Sequence, residues 1–147
     1  MPADLEAFGR MIDATELFPS SELSHMTTTY FDGSDPMERR LTVEIRSVPI
    51  AVAYYAPERM TNGTWKQLLI AVHPEHQSGG IGRSLTSYVE NDIQLRGGRV
   101  LLVEMSGLAA FERTRGFYRH IGHVEEARIR GYYDIGDDKV VFLKALA

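Results

Sequence analysis

The 147-residue sequence contains no cysteine. That absence excludes disulfides, thiolate metal ligands and a thiol nucleophile. Positive charge is also in short supply. Sixteen lysines and arginines stand against 20 aspartates and glutamates, for a formal net charge of −4, so nucleic acid is not an expected partner. Apolar runs are brief, none approaching the ~20 residues of a membrane span. The opening MPADLEAFGRM has neither the basic flank nor the apolar core of a signal peptide. No metal site is expected. His73/His76 and His120/His123 recur at i, i+3, but one pair falls in a loop, the other spans a helix stop, and no third ligand is spaced with them. Ser84 and Ser106 have no adjacent histidine and carboxylate in a hydrolase setting. Charged and apolar contents are near globular averages, which predicts one cytoplasmic domain over residues 1–147.

What is present centres on Leu68–Val89, LLIAVHPEHQSGGIGRSLTSYV. Leu68 to Val72 is an apolar run of strand length, and Pro74 cannot extend a ladder. Gln77-Ser78-Gly79-Gly80-Ile81-Gly82 follows, and then apolar residues at Ile81, Leu85, Val89 and Ile93 recur along one helix face. Strand, glycine-rich turn and helix in that order form an anion site. Glycines admit a tight bend and a close ligand, while the first helical N–H groups point outward at the positive end of the dipole. Gly82 is followed by Arg83-Ser84, not the Lys-Ser/Thr of a P-loop, and Leu85 stands where the dinucleotide fingerprint needs its third glycine.

Elsewhere, Leu5, Phe8 and Ile12 mark a short helix over about Asp4–Ile12, and a second helix is expected from Ser20-Ser21 to about Tyr30, followed by a loop through Pro36. Leu41, Val43 and Ile45 alternate with polar residues as a half-buried strand, and Ile50–Tyr55 is the next strand. Arg96-Gly97-Gly98 ends the long helix, and Val100–Val103 is a fully apolar strand, implying a right-handed parallel crossover. A helix is predicted from Ser106 or Gly107 to Ile121, with Gly122 as its stop. The final third reads as a hairpin, Glu125–Tyr133 and Lys139–Lys144. The fold class is α/β (α+β), a mixed central sheet flanked by helices.

The segment Val72-His73-Pro74 … Gln77-x-x-Gly80-x-Gly82 resembles the signature of the GNAT superfamily of acyl-CoA-dependent N-acetyltransferases, and Phe117-Tyr118 … Gly122-His123 resembles its second motif, with His123 where phenylalanine is commoner. The resemblance extends over nearly the whole chain, although that fold opens with a strand and only Met1-Pro2-Ala3 precede the first helix here, so the first strand is a candidate for loss. It implies acetyl-CoA as cosubstrate, with no metal. Pyrophosphate would sit on amides from Gln77 to Arg83 (Gln77, Ser78, Gly79, Gly80, Ile81, Gly82, Arg83), and the pantetheine arm would pair with main-chain groups near Ile70 and Val72. It also implies Tyr118 as the acid that protonates the departing thiolate, a role open to a phenol that keeps its proton at neutral pH. Glu104, just after an apolar strand, is the implied base, acting through water. The family's other base position falls at Trp65-Lys66-Gln67, which has no carboxylate.

The expected acceptor is a primary amine on a small molecule or peptide, in a pocket walled by Trp65, Tyr132 and Tyr133, with Asp32 and Glu58 attracting its charge. Direct attack fits a chain without a cysteine to carry the acyl group. The alternative is a non-catalytic acyl-CoA-binding or sensing module, which needs the loop but neither Glu104 nor Tyr118. Homodimers are common in the superfamily, but no stretch marks an interface.

Overall fold

The computed structural model describes residues 39–45 and 48–146. The two early helices, the loop to Pro36, Asp32 and the question of an opening strand lie outside the described residues. The described strands are β1 (Arg39–Ile45), β2 (Val48–Pro57), β3 (Thr64–Val72), β4 (Val100–Ser106), β5 (Val124–Asp134) and β6 (Asp137–Ala145); the α-helices are α1 (Ile81–Leu95) and α2 (Glu112–His120). The sheet order is β1-β2-β3-β4-β6-β5. Contacts cluster in two compact units. One holds the described residues up to Ala56 together with Leu68–Asn91, and the other holds Pro57–Gln67 and the chain from Asp92 onward.

In the first unit, β1 and β2 pair antiparallel from Arg39↔Tyr55 to Ile45↔Val48, with a register shift between Val43 and Glu44. Every residue from Ile50 to Ala56 is buried. Such a run buries both faces of its strand, which is why it shows no alternation. The His73 N–H donates to the Ile50 carbonyl at 2.7 Å as β3 ends. The segment expected as a glycine-rich turn holds a 3-10 turn over Pro74–Gly79, with proline at its start and Gly80 closing it in the left-handed region at φ 76°. A proline in the first turn gives up only an N–H that would lack an internal partner there. Leu85 and Val89 are buried along α1, as the four-residue spacing predicts.

In the second unit, β3 and β4 pair in parallel from Thr64↔Val100 to Gln67↔Val103, the parallel pairing that the sequence predicts. β4 pairs antiparallel with β6, and β6 with β5. α1 ends where Gly97 (φ 85°) donates to the Gln94 carbonyl at 3.0 Å and Gly98 to that of Ile93 at 2.8 Å, the paired bonds of a Schellman stop. Gly98 is obligatory: a Cβ there would lie 2.2 Å from Ile93 Cγ2 and 2.9 Å from Trp65 Cδ1.

α2 begins later than its composition predicts. Ser106 stays in β4, its hydroxyl donating to Asp137 Oδ1 at 2.5 Å and accepting from the Leu108 N–H at 3.1 Å. A 3-10 turn over Ala109–Phe111 precedes Glu112. The buried Arg115 side chain donates to the carbonyls of Ser106 (2.8 Å) and Leu108 (2.9 Å) and to Glu112 Oε2 (2.7 Å). It satisfies, from within the helix, acceptors that the non-helical connection leaves open. Gly122 (φ 95°) follows the end of α2, as expected.

Candidate active site

Two groups of candidate residues are described, one in each unit. The first surrounds the glycine turn. The left-handed Gly80 redirects the chain from the 3-10 turn into α1, whose first 4-residue bond runs from the Ser84 N–H to the Gly80 carbonyl at 3.1 Å. Among the described residues, a Cβ on Gly80 would meet nothing within 4 Å. The requirement for glycine is therefore conformational, set by the left-handed backbone rather than by crowding from the described residues. The exposed Gln77 side chain is tied back to the chain: its Nε2 donates to the Val72 carbonyl at 3.0 Å, stapling the turn to the end of β3. Thr86 Oγ1 donates to the Gly82 carbonyl at 2.8 Å. Arg83 is exposed, and Ile70 and Val72 are half-buried. Ser78 and Gly79 belong to the 3-10 turn. What this region offers a ligand is backbone N–H groups at a helix start, suited to phosphate oxygens.

The second group is built on β3, β4 and β6 and on α2. Tyr118 is buried in α2, its ring stacked on Phe142 (centroids 6.1 Å apart) and edge-on to Phe117 and His123, each at 5.2 Å. Its hydroxyl accepts a hydrogen bond from Gln67 Nε2 at 2.9 Å. The phenolic proton is thus not committed to Gln67. Burial raises the Tyr118 pKa above its ordinary value, and the Gln67 bond offsets this only in part. Gln67 Oε1 is buried without a hydrogen-bond partner among the described residues, an arrangement that costs about 1–3 kcal/mol. The sequence pointed at Gln67 only as a missing carboxylate, and nothing in it marks a partner 51 positions away. His123 is buried, and desolvation, followed by the charge of Lys144, lowers its pKa to about 4. A histidine that stays neutral packs as an aromatic ring, so it fits where phenylalanine is commoner.

Glu104 follows the last β3–β4 rung and pairs with Val141 on β6. It accepts from Lys66 Nζ at 2.9 Å and from Lys139 Nζ in a still closer contact. Both contacts follow from register, because Lys66 opposes Leu102 and Lys139 opposes Ser106, each diagonal to Glu104 on one sheet face. Burial pushes the Glu104 carboxyl up, but hydrogen bonds and charge from Lys139 and Lys66 outweigh it and hold the group below its ordinary value. The Lys139 ammonium also sits 4.1 Å from the centroid of the Tyr132 ring, and Tyr133 meets Tyr132 edge-on at 5.0 Å. Burial and the nearby Glu104 charge raise the Tyr133 pKa. Glu58 is spent in part on Lys66, at 3.9 Å.

Strand alternation therefore separates the two implied catalytic residues. Gln67, Val103 and Phe142 are in register across β3, β4 and β6, and Tyr118 lies on their face of the sheet. Lys66, Glu104 and Lys139 occupy the opposite face. Tyr132 and Tyr133 are brought to the Glu104 face and remain exposed. Trp65, expected beside them as a pocket wall, is instead a core residue, 3% exposed and set against Gly98. Its position two residues before Gln67 on β3 gives it the inward face. Among the described residues, no group of three or more histidine, aspartate or glutamate side chains could hold a metal ion, and no helix is long and apolar enough to cross a membrane.

No curated protein matches the sequence. The family profile described as the acetyltransferase (GNAT) domain matches residues 41–125, more than half of the chain. Among solved structures, a protein assigned to the GNAT family of acetyltransferases from Desulfovibrio desulfuricans is 29% identical with a TM-score of 0.93, covering 100% of this chain and 95% of that one. The ribosomal-protein-S18-alanine N-acetyltransferase of Escherichia coli shares the fold at 21% identity and a TM-score of 0.79, covering 100% and 90% of the two chains. The Salmonella typhimurium protein yncA, solved with its cofactor acetyl-CoA, shares it at 18% identity and 0.71, covering 99% and 87%. With strand, left-handed glycine turn and helix falling inside the matched residues, the chain belongs to the GNAT family of acetyltransferases.

Proposed function

We propose that residues 1–147 form a single cytoplasmic N-acetyltransferase domain that moves the acetyl group of acetyl-CoA to a primary amine by direct attack. The observation that carries the proposal is the left-handed Gly80, which turns the chain from the end of β3 into α1 with no described residue within 4 Å of where a Cβ would sit. In this proposal, amides from Gln77 to Arg83 receive the pyrophosphate, and main-chain groups at Ile70 and Val72 pair with the pantetheine arm.

The amine nitrogen bonds to the thioester carbonyl carbon, the carbon–sulfur bond breaks, and the thiolate takes the Tyr118 proton. The nitrogen sheds its own proton to water. Both oxygens of Glu104 already accept from ammonium groups, so its assigned part is to order that water rather than to bind the amine directly. Because Glu104 and Tyr118 lie on opposite faces of the sheet, the two proton transfers proceed separately.

A non-catalytic acyl-CoA-binding or sensing module is the alternative. It is favoured by one observation: the Tyr118 pKa is moved up and that of Glu104 down, both away from neutral pH. Calorimetric titration with acetyl-CoA tests the proposal, repeated on Gly80→Glu. We expect saturable one-site binding in the native protein, weakened in the variant by about 100-fold or more, since a carboxylate would face the pyrophosphate. Absence of binding by the folded native protein would overturn the proposal. Binding without transfer to any primary amine would favour the sensing module.

A further inference from the structure

In the transfer proposed above, the Tyr118 O–H bond breaks, an S–H bond forms on the departing thiolate, and a phenolate stays behind until water returns the proton. That phenolate forms in apolar surroundings. Tyr118 is 1% exposed, with Phe142 stacked on its ring and Phe117 and His123 edge-on to it. His123, with a pKa of about 4, brings no positive charge at neutral pH. Burial of this kind makes a phenol a poor acid, because its charged form loses the solvation of water.

One group works against this. Gln67 Nε2 donates to the Tyr118 oxygen at 2.9 Å, and that bond lowers the Tyr118 pKa where burial raises it. A donated N–H bond strengthens as its acceptor gains negative charge, so it favours the phenolate over the phenol. Strand register puts the donor there. Gln67 opposes Val103 in the last β3–β4 rung, and Val103 opposes Phe142, the residue stacked on Tyr118. A carboxamide suits this buried position because it donates without carrying a charge of its own. An ionised carboxylate there could only accept, and would hold the phenolic proton instead of releasing it.

We propose that Gln67 is a positioning residue for acetyl transfer: its amide donates to the Tyr118 oxygen, leaves the phenolic proton for the thiolate, and stabilises the phenolate as it forms. This rests on the acetyltransferase proposal above and deepens it. Gln67 touches no reacting atom and acts only through Tyr118, 51 positions away in the chain. Its contribution therefore exists only while the Tyr118 hydroxyl exists, and it depends on which end of the side chain faces that hydroxyl.

Two tests read this coupling, with CoA release followed by a thiol reagent to which a chain without cysteine is silent. The amine is the best acceptor of a broad primary-amine panel. In the first test, Gln67→Met should lower kcat about tenfold with the KM for acetyl-CoA unchanged, yet cause no further loss when added to Tyr118→Phe. A residue serving only the fold would lower turnover alike in both backgrounds. In the second, Gln67→Glu should acquire a pH dependence that the native protein lacks. The introduced carboxyl, its pKa raised by burial, donates to Tyr118 while protonated and only accepts once ionised. Its kcat relative to the native protein should fall about tenfold or more between about pH 6 and pH 9, with calorimetric affinity for acetyl-CoA unchanged. The other titratable groups about the ring, His123 with Lys144 near it and Arg119 on Phe142, are common to both proteins and cancel in the ratio. Additive losses from Gln67→Met and Tyr118→Phe, or a flat relative profile in folded Gln67→Glu, overturn the inference and leave the acetyltransferase proposal standing. Native turnover in Tyr118→Phe overturns it together with the acid role of Tyr118. Acetyl-CoA binding without transfer to any amine of the panel overturns both the inference and the acetyltransferase proposal. If Gln67→Glu does not fold, the double substitution decides alone.

Discussion

The glycine turn and the surroundings of Tyr118 are built on opposite plans. Around Gly80 the backbone is what a ligand would meet. Gln77 bonds the Val72 carbonyl and Thr86 that of Gly82, and no described residue lies within 4 Å of where a Cβ on Gly80 would sit. Around Tyr118 the side chains define the surroundings, packed and buried, with the hydroxyl held by Gln67 and the ring by Phe142 and His123. A backbone site needs a local conformation, which few residues allow. A side-chain site needs partners, which come from anywhere in the chain. A site of the first kind is thus exposed to one kind of damage, a change in φ or the intrusion of a side chain, and one of the second kind to another, the loss of a single atom.

Substitutions at the second region should therefore leave acetyl-CoA affinity intact and fall on turnover. The largest effect is expected from Tyr118→Phe. Losing a general acid lowers kcat by about 100-fold or more, while calorimetric affinity for acetyl-CoA stays as in the native protein. Full turnover in this variant would remove Tyr118 from the chemistry, and a parallel loss of affinity would break the separation of the two regions.

Gln67→Leu comes next. It removes the hydrogen bond to the Tyr118 hydroxyl, worth about 1 kcal/mol, and kcat should fall roughly tenfold or less. Thermal unfolding should move little, because the unpartnered Oε1 disappears with the amide. A large drop in melting temperature with unchanged kcat would make Gln67 a purely structural residue.

The smallest effect concerns His123. Its folded pKa of about 4 lies below the ordinary 6.5, so between those values the unfolded chain binds more protons. The contribution of His123 to stability is fully present above about pH 6.5 and is lost as the pH falls toward 4. His123→Phe should remove this part of the acid sensitivity. Urea midpoints at pH 7 and pH 5 would show a smaller difference in the variant, and an equal difference would mean that His123 is not held neutral.

How much of this was legible in the sequence follows the same division. The order strand, turn, helix was plain from Leu68 to Val89, since apolar spacing and glycine position are local properties. The parallel β3–β4 pairing, the Gly97-Gly98 stop and the final hairpin were legible for the same reason. The start of α2 was not. Whether Ser106 caps a helix or ends a strand depends on Asp137, 31 positions away, and on where Arg115 directs its guanidinium. Trp65 was misplaced because an aromatic residue beside a candidate site suits a wall and a core equally well until Gly98 is seen against it. Glu104 was found by its place after an apolar strand, but Lys66 and Lys139 were not found with it.

By itself, then, the sequence determined the family-bearing core: a strand that must end before Pro74, a turn that needs glycine at position 80, a helix with one apolar face, and a tyrosine in the helix that follows the next strand. Each rests on backbone sterics or a repeat of a few residues, and a short window contains both. Only the tertiary structure decided what those residues face. Strand register set Gln67 beneath Tyr118, placed Glu104 between two lysines, and put the implied acid and base on opposite faces. A shift of one residue in pairing would exchange those faces, and pairing is settled by the packing of strands that lie far apart in the chain.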